Sequence, residues 1–388
     1  MKKSLAGAGA IPALLAILLA GAAPAAAACD PATHALQYLA AQQRADGSID
    51  GAVGETLDFA LGAVAAGYDP RTLKSSSGKS PYDWLQANIG AATADPNRAG
   101  KLVQGVVAGG FDPHSFASKN LLQALQAYFQ SSNGAYIANP SDPNDPCQVA
   151  ANGVYCQANA ILGLVSAHDP AFPVPAKAVT YLKGLQQSNG AWQLFGSDDT
   201  NATAMALMAL AAVSDASANS KAFTFLHTQQ DASSGGFVES TSFQTKSDPD
   251  SDSLVIDGLV AAGQDPASTA WSNGHGNAVS DVLTFQDSST GGFFFDHAKP
   301  TPSAFTTSEV PAGLARKPFP VKAAYKAGTA LPPAGCTAAA AVSASPSPAV
   351  GLPHSGAAPA PPPVAPAVTL VALAALAGAA LGGLALRR

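Results

Sequence analysis

Apolar residues recur at helical spacing between residues 30 and 335. Two kinds of polar turn separate these apolar stretches, and the two kinds alternate along the chain. The first kind begins with glutamine and contains a glycine, usually followed by an aromatic residue. Turns of this kind lie at residues 42–48, 130–136, 186–192, 229–237 and 286–293. The second kind closes an apolar helix with Asp-Pro and occurs at residues 67–70, 110–113, 167–170 and 263–266.

The two turns define a repeating unit of helix, glycine turn, helix and Asp-Pro stop. Glycine supplies the positive φ that a helix exit needs, and proline after aspartate prevents the helix from continuing. If a degenerate second unit lies between Trp84 and Gly110, the chain contains about six such units. Six helical hairpins close readily into a double ring, so the pattern predicts an all-α fold, an α/α toroid, over residues 29–335.

The N-terminus carries Lys2 and Lys3, then an apolar stretch, then a run of small residues ending at Ala28. This order is typical of a secretory signal peptide, which we assign to residues 1–28. A retained N-terminal anchor and a lipid-modified Cys29 are the alternatives. The apolar stretch is short for a membrane span of about 20 residues.

The C-terminus is predicted to hold the protein at the cell surface. Residues 336–366 are rich in Pro, Ala and Ser and should form an extended stalk, because they lack the apolar side chains that a packed domain needs. Residues 367–388 comprise an apolar segment that ends at Arg387 and Arg388, and residues 367–386 are long enough to cross a membrane. We expect localisation on the extracellular face.

A second mechanism of anchoring is indicated within the stalk. Leu352, Pro353, Ser355 and Gly356 belong to a Leu-Pro-His-Ser-Gly segment that resembles the Leu-Pro-x-Thr-Gly sorting signal of Gram-positive surface proteins. This resemblance implies that a sortase cleaves after Ser355 and joins the stalk to peptidoglycan. Attachment to the cell wall and a permanent membrane helix remain alternatives.

Charge and cysteine content limit the kinds of partner, disulfide and metal site that the chain can have. The net charge is −6 and no Lys/Arg cluster occurs, which argues against nucleic acid as a partner. The four cysteines of an exported chain favour disulfides, and the local pair Cys147–Cys156 would leave Cys29 to pair with Cys336. The seven histidines and the cysteines show no spacing typical of metal ligands, so we predict neither a metal nor a cofactor.

The glycine turns carry a resemblance to a known superfamily. The segment Gln186 to Trp192 resembles the Gln-x-x-x-Gly-x-Trp signature of squalene cyclases, and the other turns have Tyr or Phe in place of Trp. The chain therefore resembles the terpenoid cyclase and protein prenyltransferase superfamily of α/α toroids over nearly all of residues 30–320. The resemblance implies an inner and an outer ring of helices with ligands in the central cavity. It implies little about activity, because such folds host several functions.

If the second helix of each unit lines that cavity, its polar N-terminal residues surround one opening. The candidate ligand-binding residues are Glu55, Asp58, Asp199, Asn201, Asp250, Asp252 and Glu309. Arg98, Lys101, Gln157, Asn159 and Ser308 occupy equivalent positions. Helix capping, which stabilises a helix by about 0.5–2 kcal/mol per cap, explains many of the same residues without a ligand.

The segment Ser197 to Ala202 resembles the Asp-x-Asp-Asp-Thr-Ala acid motif of type II terpene cyclases, and implies Asp199, with Asp198, as a candidate proton donor. The first aspartate of that motif is replaced by Gly196. Aromatic residues, which stabilise carbocations, are only 7% of the chain. We therefore expect a binding or interaction module for a small molecule, glycan or protein. The alternatives are a terpene-cyclase-like or prenyltransferase-like enzyme, a polysaccharide-acting enzyme, and a structural surface protein.

Overall fold

The computed structural model describes residues 30–148, 153–242 and 244–334. The predicted signal peptide, Cys29, Cys336, the stalk with its sorting motif and the predicted membrane segment all lie outside these ranges. Within them, no helix has the length and apolar character that a membrane crossing requires.

The described residues form fourteen α-helices, four short 3-10 helices and one small sheet. The α-helices are α1 (Pro31–Gln42), α2 (Val53–Ala65), α3 (Pro81–Ala87), α4 (Ile89–Ala92), α5 (Pro96–Ala108), α6 (Leu121–Gln126), α7 (Gly153–Ala167), α8 (Ala176–Gly184), α9 (Thr200–Ala212), α10 (Asn219–Thr228), α11 (Pro249–Ala261), α12 (Ala278–Val282), α13 (Ala304–Ser308) and α14 (Pro311–Leu314). The 3-10 helices are Pro70–Thr72, Phe116–Ser118, Thr269–Trp271 and Leu283–Phe285. The strands β1 (Trp192–Leu194) and β2 (Ser197–Asp199) pair antiparallel.

The helices form two concentric rings. In the inner ring α2 packs against α5, α5 against α7, α7 against α9, α9 against α11, and α11 against α14, which returns to α2 together with α13. The remaining helices, α1, α3 with α4, α6, α8, α10 and α12, precede the inner helices in the chain and pack outside them. The predicted α/α toroid of paired helices is confirmed, with α13 and α14 together completing the inner ring.

Small residues allow the inner helices to approach closely. A Cβ added to Gly100 of α5 would lie 2.2 Å from the carbonyl oxygen of Asn159 in α7, and one added to Gly163 would lie 2.7 Å from the carbonyl oxygen of Gly100. Between α11 and α9, Gly258 packs in the same way against Ala204. Every residue of α9 from Thr200 to Leu210 is buried. Such a helix is surrounded on all sides, as expected for an inner element.

The glycine turns join each hairpin to the next. Gly190 has φ +97°, and a Cβ there would lie 2.0 Å from the carbonyl oxygen of Lys221 at the start of α10. Gly291 has φ +81°, and its Cβ would lie 2.4 Å from the carbonyl oxygen of His34 in α1, so this contact closes the ring. The positive φ and the close approach both require glycine at these positions.

The glutamines of the same turns tie neighbouring hairpins together. The Nε2 atom of Gln186 donates to the carbonyl oxygens of Gly190 and Ala218, both at 3.1 Å. Gln286 donates to Gly291 at 3.0 Å and to Pro31 at 2.9 Å, across the junction between the last hairpin and the first. The repeated glutamine is therefore explained by the architecture alone.

The C-terminal segment 316–334, which we call the strap, crosses the end of the ring where the inner helices finish. Val321 packs in one apolar cluster with Leu61 and Ala65 of α2 and with Ala108 of α5. The backbone N–H of Gly328 donates to Asp69, and Gln37 of α1 donates to the carbonyl oxygen of Pro332 at 3.1 Å. The strap lies against this end of the ring beside α1, α2 and α5, and the opposite end, at the N-termini of the inner helices, is here called the mouth.

Cys147 and Cys156 form a disulfide with an S–S distance of 2.07 Å, which confirms the predicted local pair. It links the segment before α7 to the first turns of that helix. The described chain begins at α1 and ends beside it through the contacts of Gln37, so the two ends of the toroid approach each other. The Cys29–Cys336 bridge stays a prediction.

Candidate functional site

The packing of α5 defines which of its side chains face the interior of the ring. Gly100 lies against α7, and Gly105 lies against Leu57 of α2. Residues between these two contact directions on the helix surface must face the ring interior, because the opposite side packs against the outer helices. Lys101 and Gln104 occupy that inward face, and so does Asn97 one turn earlier.

Packing contacts also define which face of α11 points into the ring. Its Gly258 contacts α9, and the hydroxyl of Ser253 donates to the carbonyl oxygen of Glu309, between α13 and α14. The face between these contacts carries Asp250, Leu254 and Asp257. Leu254 is half-buried although it lies in the middle of an inner helix, so solvent enters the ring to about this depth.

A charged cluster lies at the mouth on α2, α5 and the junction of α13 with α14. Lys101 donates from Nζ to Oδ2 of Asp58 at 2.6 Å. Glu55 and Glu309 are close enough to act electrostatically on the same ammonium group. Burial opposes the charge of Lys101, but the three carboxylates raise its pKa, and the ammonium of Lys101 opposes the rise that burial causes in the pKa of Asp58. Burial also raises the pKa of Glu55. We therefore expect the pair Asp58–Lys101 to be ionised at neutral pH.

A chain of amides continues from this cluster along the inner face of the ring. Asn159 of α7 donates from Nδ2 to Oδ1 of Asn97 at 2.7 Å. Gln104 donates from Nε2 to Oδ1 of Asn159 at 3.0 Å. The Oε1 atom of Gln104 is buried and accepts no hydrogen bond from the described residues. This part of the interior is built to form hydrogen bonds.

Asn201 and Asp250 complete the polar residues of the inner face. Asn201 is the second residue of α9, 4% exposed, and its Oδ1 accepts no hydrogen bond within the described part of the chain. The neighbouring Ala204 faces α11 and Thr203 faces the outer turn, which leaves Asn201 on the inward side. Asp250 is 2% exposed on the inward face of α11. Together with Glu55, Asp58 and Glu309, they are the predicted ligand-binding residues that the fold directs toward the ring interior.

The candidate proton donors Asp198 and Asp199 accept hydrogen bonds from nearby residues of the chain. Asp199 is the N-cap of α9, and its Oδ1 accepts from the backbone N–H of Ala202 at 2.6 Å. Asp198 lies on β2 and accepts from Asn189 at 2.7 Å and from Gln193 at 3.0 Å. Helix capping explains Asp199, and hairpin contacts explain Asp198.

Asp252, which the sequence placed at the opening, lies on the outward face of α11. Its Oδ1 accepts from the backbone N–H of Phe237 in the preceding glycine turn at 2.6 Å. Thr203 accepts from Trp192 and Thr307 from Phe293 in the equivalent way, so the contact belongs to the repeat. Burial raises the pKa of Asp252 well above its usual range, and the nearby carboxyl of Asp281 adds to the rise.

Sequence reasoning missed three inward-facing residues, Asn97, Gln104 and Asp257. Asp257 is 1% exposed, its Oδ1 accepts no hydrogen bond from any described residue, and burial raises its pKa well above the usual range. The signal that could have identified it is an aspartate inside the apolar run from Leu254 to Leu259.

Two further features of the described residues bear on ligands. No group of three or more His, Cys, Asp or Glu side chains in the ranges above is arranged to hold a metal ion. An apolar groove of about 390 Å³, lined by Leu164, Phe172, Val174 and Ala212 among others, lies at the C-terminal ends of α7 and α9, away from the mouth.

Comparison with known proteins supports the fold. No protein-family model matches the chain, and no curated protein matches it. Solved structures do match, among them a variant of the type II terpene cyclase MstE from Scytonema in complex with the product merosterolic acid A. It has a TM-score of 0.51 and 15% sequence identity, with 74% of this chain and 95% of that chain covered. A second variant of this enzyme, in complex with the substrate geranylgeranyl dihydroxybenzoate, has a TM-score of 0.50 and 15% identity, with 74% and 96% covered. At these identities the likeness shows that the chain has the toroid fold of terpene cyclases.

Proposed function

We propose that the toroid is a non-catalytic binding module that takes a small polar molecule at its mouth. The observation that carries this proposal is the hydrogen-bonding inner face, where Asn97, Asn159 and Gln104 form a chain beside the pair Asp58–Lys101. Buried polar groups cost free energy unless they have partners, so a sequence that only needed to fill the ring would place apolar side chains there. A ligand that enters the mouth meets donors and acceptors already held in place.

The rival function is cyclisation of an isoprenoid, which the fold of the MstE structures favours. That chemistry requires a strong acid directed into an apolar cavity and aromatic faces that stabilise a cation. Among the inner helices, α5, α9, α11 and α14 contain no aromatic residue and α2, α7 and α13 contain one each, and Asp199 serves as a helix cap. These two features argue against alkene protonation at this site.

A turnover assay separates the two functions. The purified full-length chain is incubated with geranylgeranyl dihydroxybenzoate, the compound named as substrate of MstE, and products are analysed by mass spectrometry. We expect the compound to be recovered unchanged. Cyclised product that disappears in the variant Asp199→Asn would overturn the binding proposal.

The binding experiment uses the protein as its own cells make it. The full-length chain is purified under native conditions, and the small molecules released on denaturation are identified by mass spectrometry. The proposal expects one polar compound, present in a constant ratio to protein and absent from the matched variant Asn159→Ala. The binding proposal would be contradicted by repeated preparations that contain no such compound and that also bind none of the polar molecules added to them.

The binding module is further proposed to be displayed outside the cell on the stalk of residues 336–366. The Cys147–Cys156 disulfide supports export, because disulfides persist in oxidising compartments. Retention by the apolar segment 367–386 and sortase-mediated attachment to peptidoglycan are both consistent with the sequence. Mass spectrometry of the C-terminal peptide distinguishes them: wall-attached protein ends at Ser355, and membrane-retained protein continues through Gly356 into the apolar segment 367–386.

A further inference from the structure

The apolar groove lies at the end of the ring opposite the mouth, where two inner helices finish. It has a volume of about 390 Å³, and its walls include Val165 of α7, Ala212 of α9, and Phe172 and Val174 of the connection from α7 to α8. These four side chains are half-buried, so the groove presents apolar surface to the solvent. Exposed apolar surface of this kind marks sites of interaction.

The groove residues occupy positions that recur in other units of the ring. The helices α2, α5 and α9 each end at an alanine that lies two residues before a residue of positive φ. The pairs are Ala65 with Gly67, Ala108 with Gly110, and Ala212 with Ser214. In α7, Val165 lies three residues before the positive φ of His168, as Val64 of α2 lies before that of its own turn. Each groove residue therefore has an equivalent in α2.

The equivalent positions in α2 and α5 are covered. Ala65 and Ala108 are 8% and 2% exposed, and both belong to the apolar cluster that contains Val321 of the strap. Ala212, in contrast, is half-buried in the open groove. The strap has no regular secondary structure at Val321, which follows Pro320. The structure thus shows what fits this position of the repeat, namely a proline-containing segment with a branched aliphatic side chain.

The stalk contains a segment of the same character. Residues 346–353 read Pro-Ser-Pro-Ala-Val-Gly-Leu-Pro, with Val350 and Leu352 as the aliphatic side chains. We propose that residues 346–353 dock into the groove of the same chain. The segment carries no charge, and its prolines restrict the free chain, so docking costs less conformational entropy. Val364 also lies between prolines, but it adjoins the apolar segment 367–386, so the anchor would hold it away from the groove.

The chain before this segment is long enough to reach the groove. The described chain ends beside α1, where Gln37 donates to the carbonyl oxygens of Pro332 and Pro333, both at 3.1 Å. Helices that pack about 8–10 Å apart in a six-membered ring place opposite inner axes about 16–20 Å apart. The outer ring adds about 8–10 Å, so α1 lies about 30 Å from the ends of α7 and α9. Residues 335–345 span up to about 36 Å when extended.

The contact gives the toroid an orientation. The groove lies at the C-terminal ends of the inner helices and the mouth at their N-termini, so a stalk docked in the groove turns the mouth away from the anchor. Only residues 354–366 then separate the docked segment from the apolar segment. This orientation relative to the cell rests on the proposed surface anchoring. The contact itself depends neither on the anchoring nor on what the mouth binds.

A photo-reactive label in the groove tests the contact on the full-length protein in detergent. Benzoylphenylalanine replaces Phe172, the dilute protein is irradiated, and cross-linked peptides are identified by mass spectrometry. We expect a cross-link to residues 346–353 in a product of monomer mass. The same label at Phe195, which is 55% exposed at the turn between β1 and β2, is the matched control. It should give at least about tenfold less cross-link to the stalk.

Variants of the stalk locate the contact. Leu352→Asp should lower the yield from the label at Phe172 at least about tenfold, because a charged side chain is disfavoured in an apolar groove. Val342→Asp introduces the same charge outside the docked segment and should leave the yield nearly unchanged. A label at Val174 repeats the test if the label at Phe172 lowers the melting temperature.

Three results would overturn the proposal. They are a cross-link between two chains, a cross-link to a bound apolar compound, and a yield no higher than that of the control label. None of them bears on the binding function, which is decided by the native ligand of the mouth.

Discussion

The glycine turns at the periphery and the inward faces of the inner helices follow opposite rules. In the turns the same contacts recur from hairpin to hairpin: a positive-φ glycine against the backbone of the next hairpin, and a glutamine that donates across the junction. On the inward faces the contacts of the polar residues differ from helix to helix, from the Asp58–Lys101 pair between α2 and α5 to the Asn97–Asn159 hydrogen bond between α5 and α7. A repeated contact serves the architecture that all hairpins share, whereas an unrepeated polar residue needs a reason of its own.

The carboxyl pKa values also differ between the peripheral turns and the inner helices. Carboxylates in the peripheral turns accept backbone hydrogen bonds, and the side chain of Arg71 lowers the pKa of Asp69 to about 2. Carboxylates on the inner helices are desolvated, which raises the pKa of Glu55 and raises that of Asp257 well above its usual range. Ionised carboxylates in the periphery thus stabilise the fold, whereas ionisation of the buried carboxylates on the inner helices destabilises it.

The largest expected effect breaks a repeated turn. Gly190→Ala would place a Cβ 2.0 Å from the carbonyl oxygen of Lys221 at φ +97°, so we expect destabilisation of about 3 kcal/mol or more. Gly184→Ala is the matched control, because a Cβ at this helical glycine meets nothing within 4 Å. The control should be neutral or stabilise by up to about 1 kcal/mol. Denaturant unfolding followed by circular dichroism measures both, and equal effects would contradict the role of the turn.

A smaller loss should follow from opening the ring junction. Gln286→Ala leaves the carbonyl oxygens of Gly291 and Pro31 without this donor, which should destabilise the fold by about 1–3 kcal/mol. In the control Gln187→Ala, the lost contact is to Leu185 within the same hairpin, and a change within about 0.5 kcal/mol is expected. Thermal unfolding of the two variants side by side decides whether the glutamine stabilises the junction.

The pH dependence of stability should differ in sign between the two regions. On the inward face of α11, burial raises the folded pKa of Asp257 well above its usual range, so its contribution is lost as pH rises above the usual aspartate range. Asp257→Asn should therefore raise the melting temperature at pH 8 and change it little at pH 4. The folded pKa of Asp69 is lowered, so its contribution is lost as pH falls toward about 2. Asp69→Asn should lower the melting temperature at pH 7 and lose its effect near pH 2, and the same pH profile for both variants would contradict the division.

The smallest stability effect is expected on the inward face at the mouth. Glu55→Gln removes a half-buried carboxylate whose pKa is raised by burial, and stability at pH 7 should change by less than about 0.5 kcal/mol. Binding of the native ligand should nevertheless weaken. A loss of stability comparable to that of Gly190→Ala would show that Glu55 serves the fold instead of a ligand.

The sequence predicted the part of the molecule that repeats. Glycine turns and Asp-Pro stops have local causes, so their alternation gave the hairpins, the double ring and, with the local cysteines, the Cys147–Cys156 bridge. Asp199 could be interpreted from its position before α9, where capping was the structural alternative. Such features depend only on neighbouring residues in the chain.

The orientation of inner-helix side chains could not be obtained this way. Asp250 and Asp252 are two residues apart, yet about 200° of helical rotation sends the first toward the ring interior and the second toward Phe237. Gln104 and Asp257 lie beyond the first turns of their helices, where only the packing of α5 and α11 identifies the inward face. These assignments require knowledge of which helices are neighbours.

A crystal structure of the full-length protein with its native ligand tests the division between periphery and inner face most directly. We predict an intact polar molecule at the mouth, in contact with Lys101 and Asn159. A ligand in the apolar groove beside Phe172, or a cyclised isoprenoid within reach of Asp199, would contradict the assignment of the mouth as the binding site.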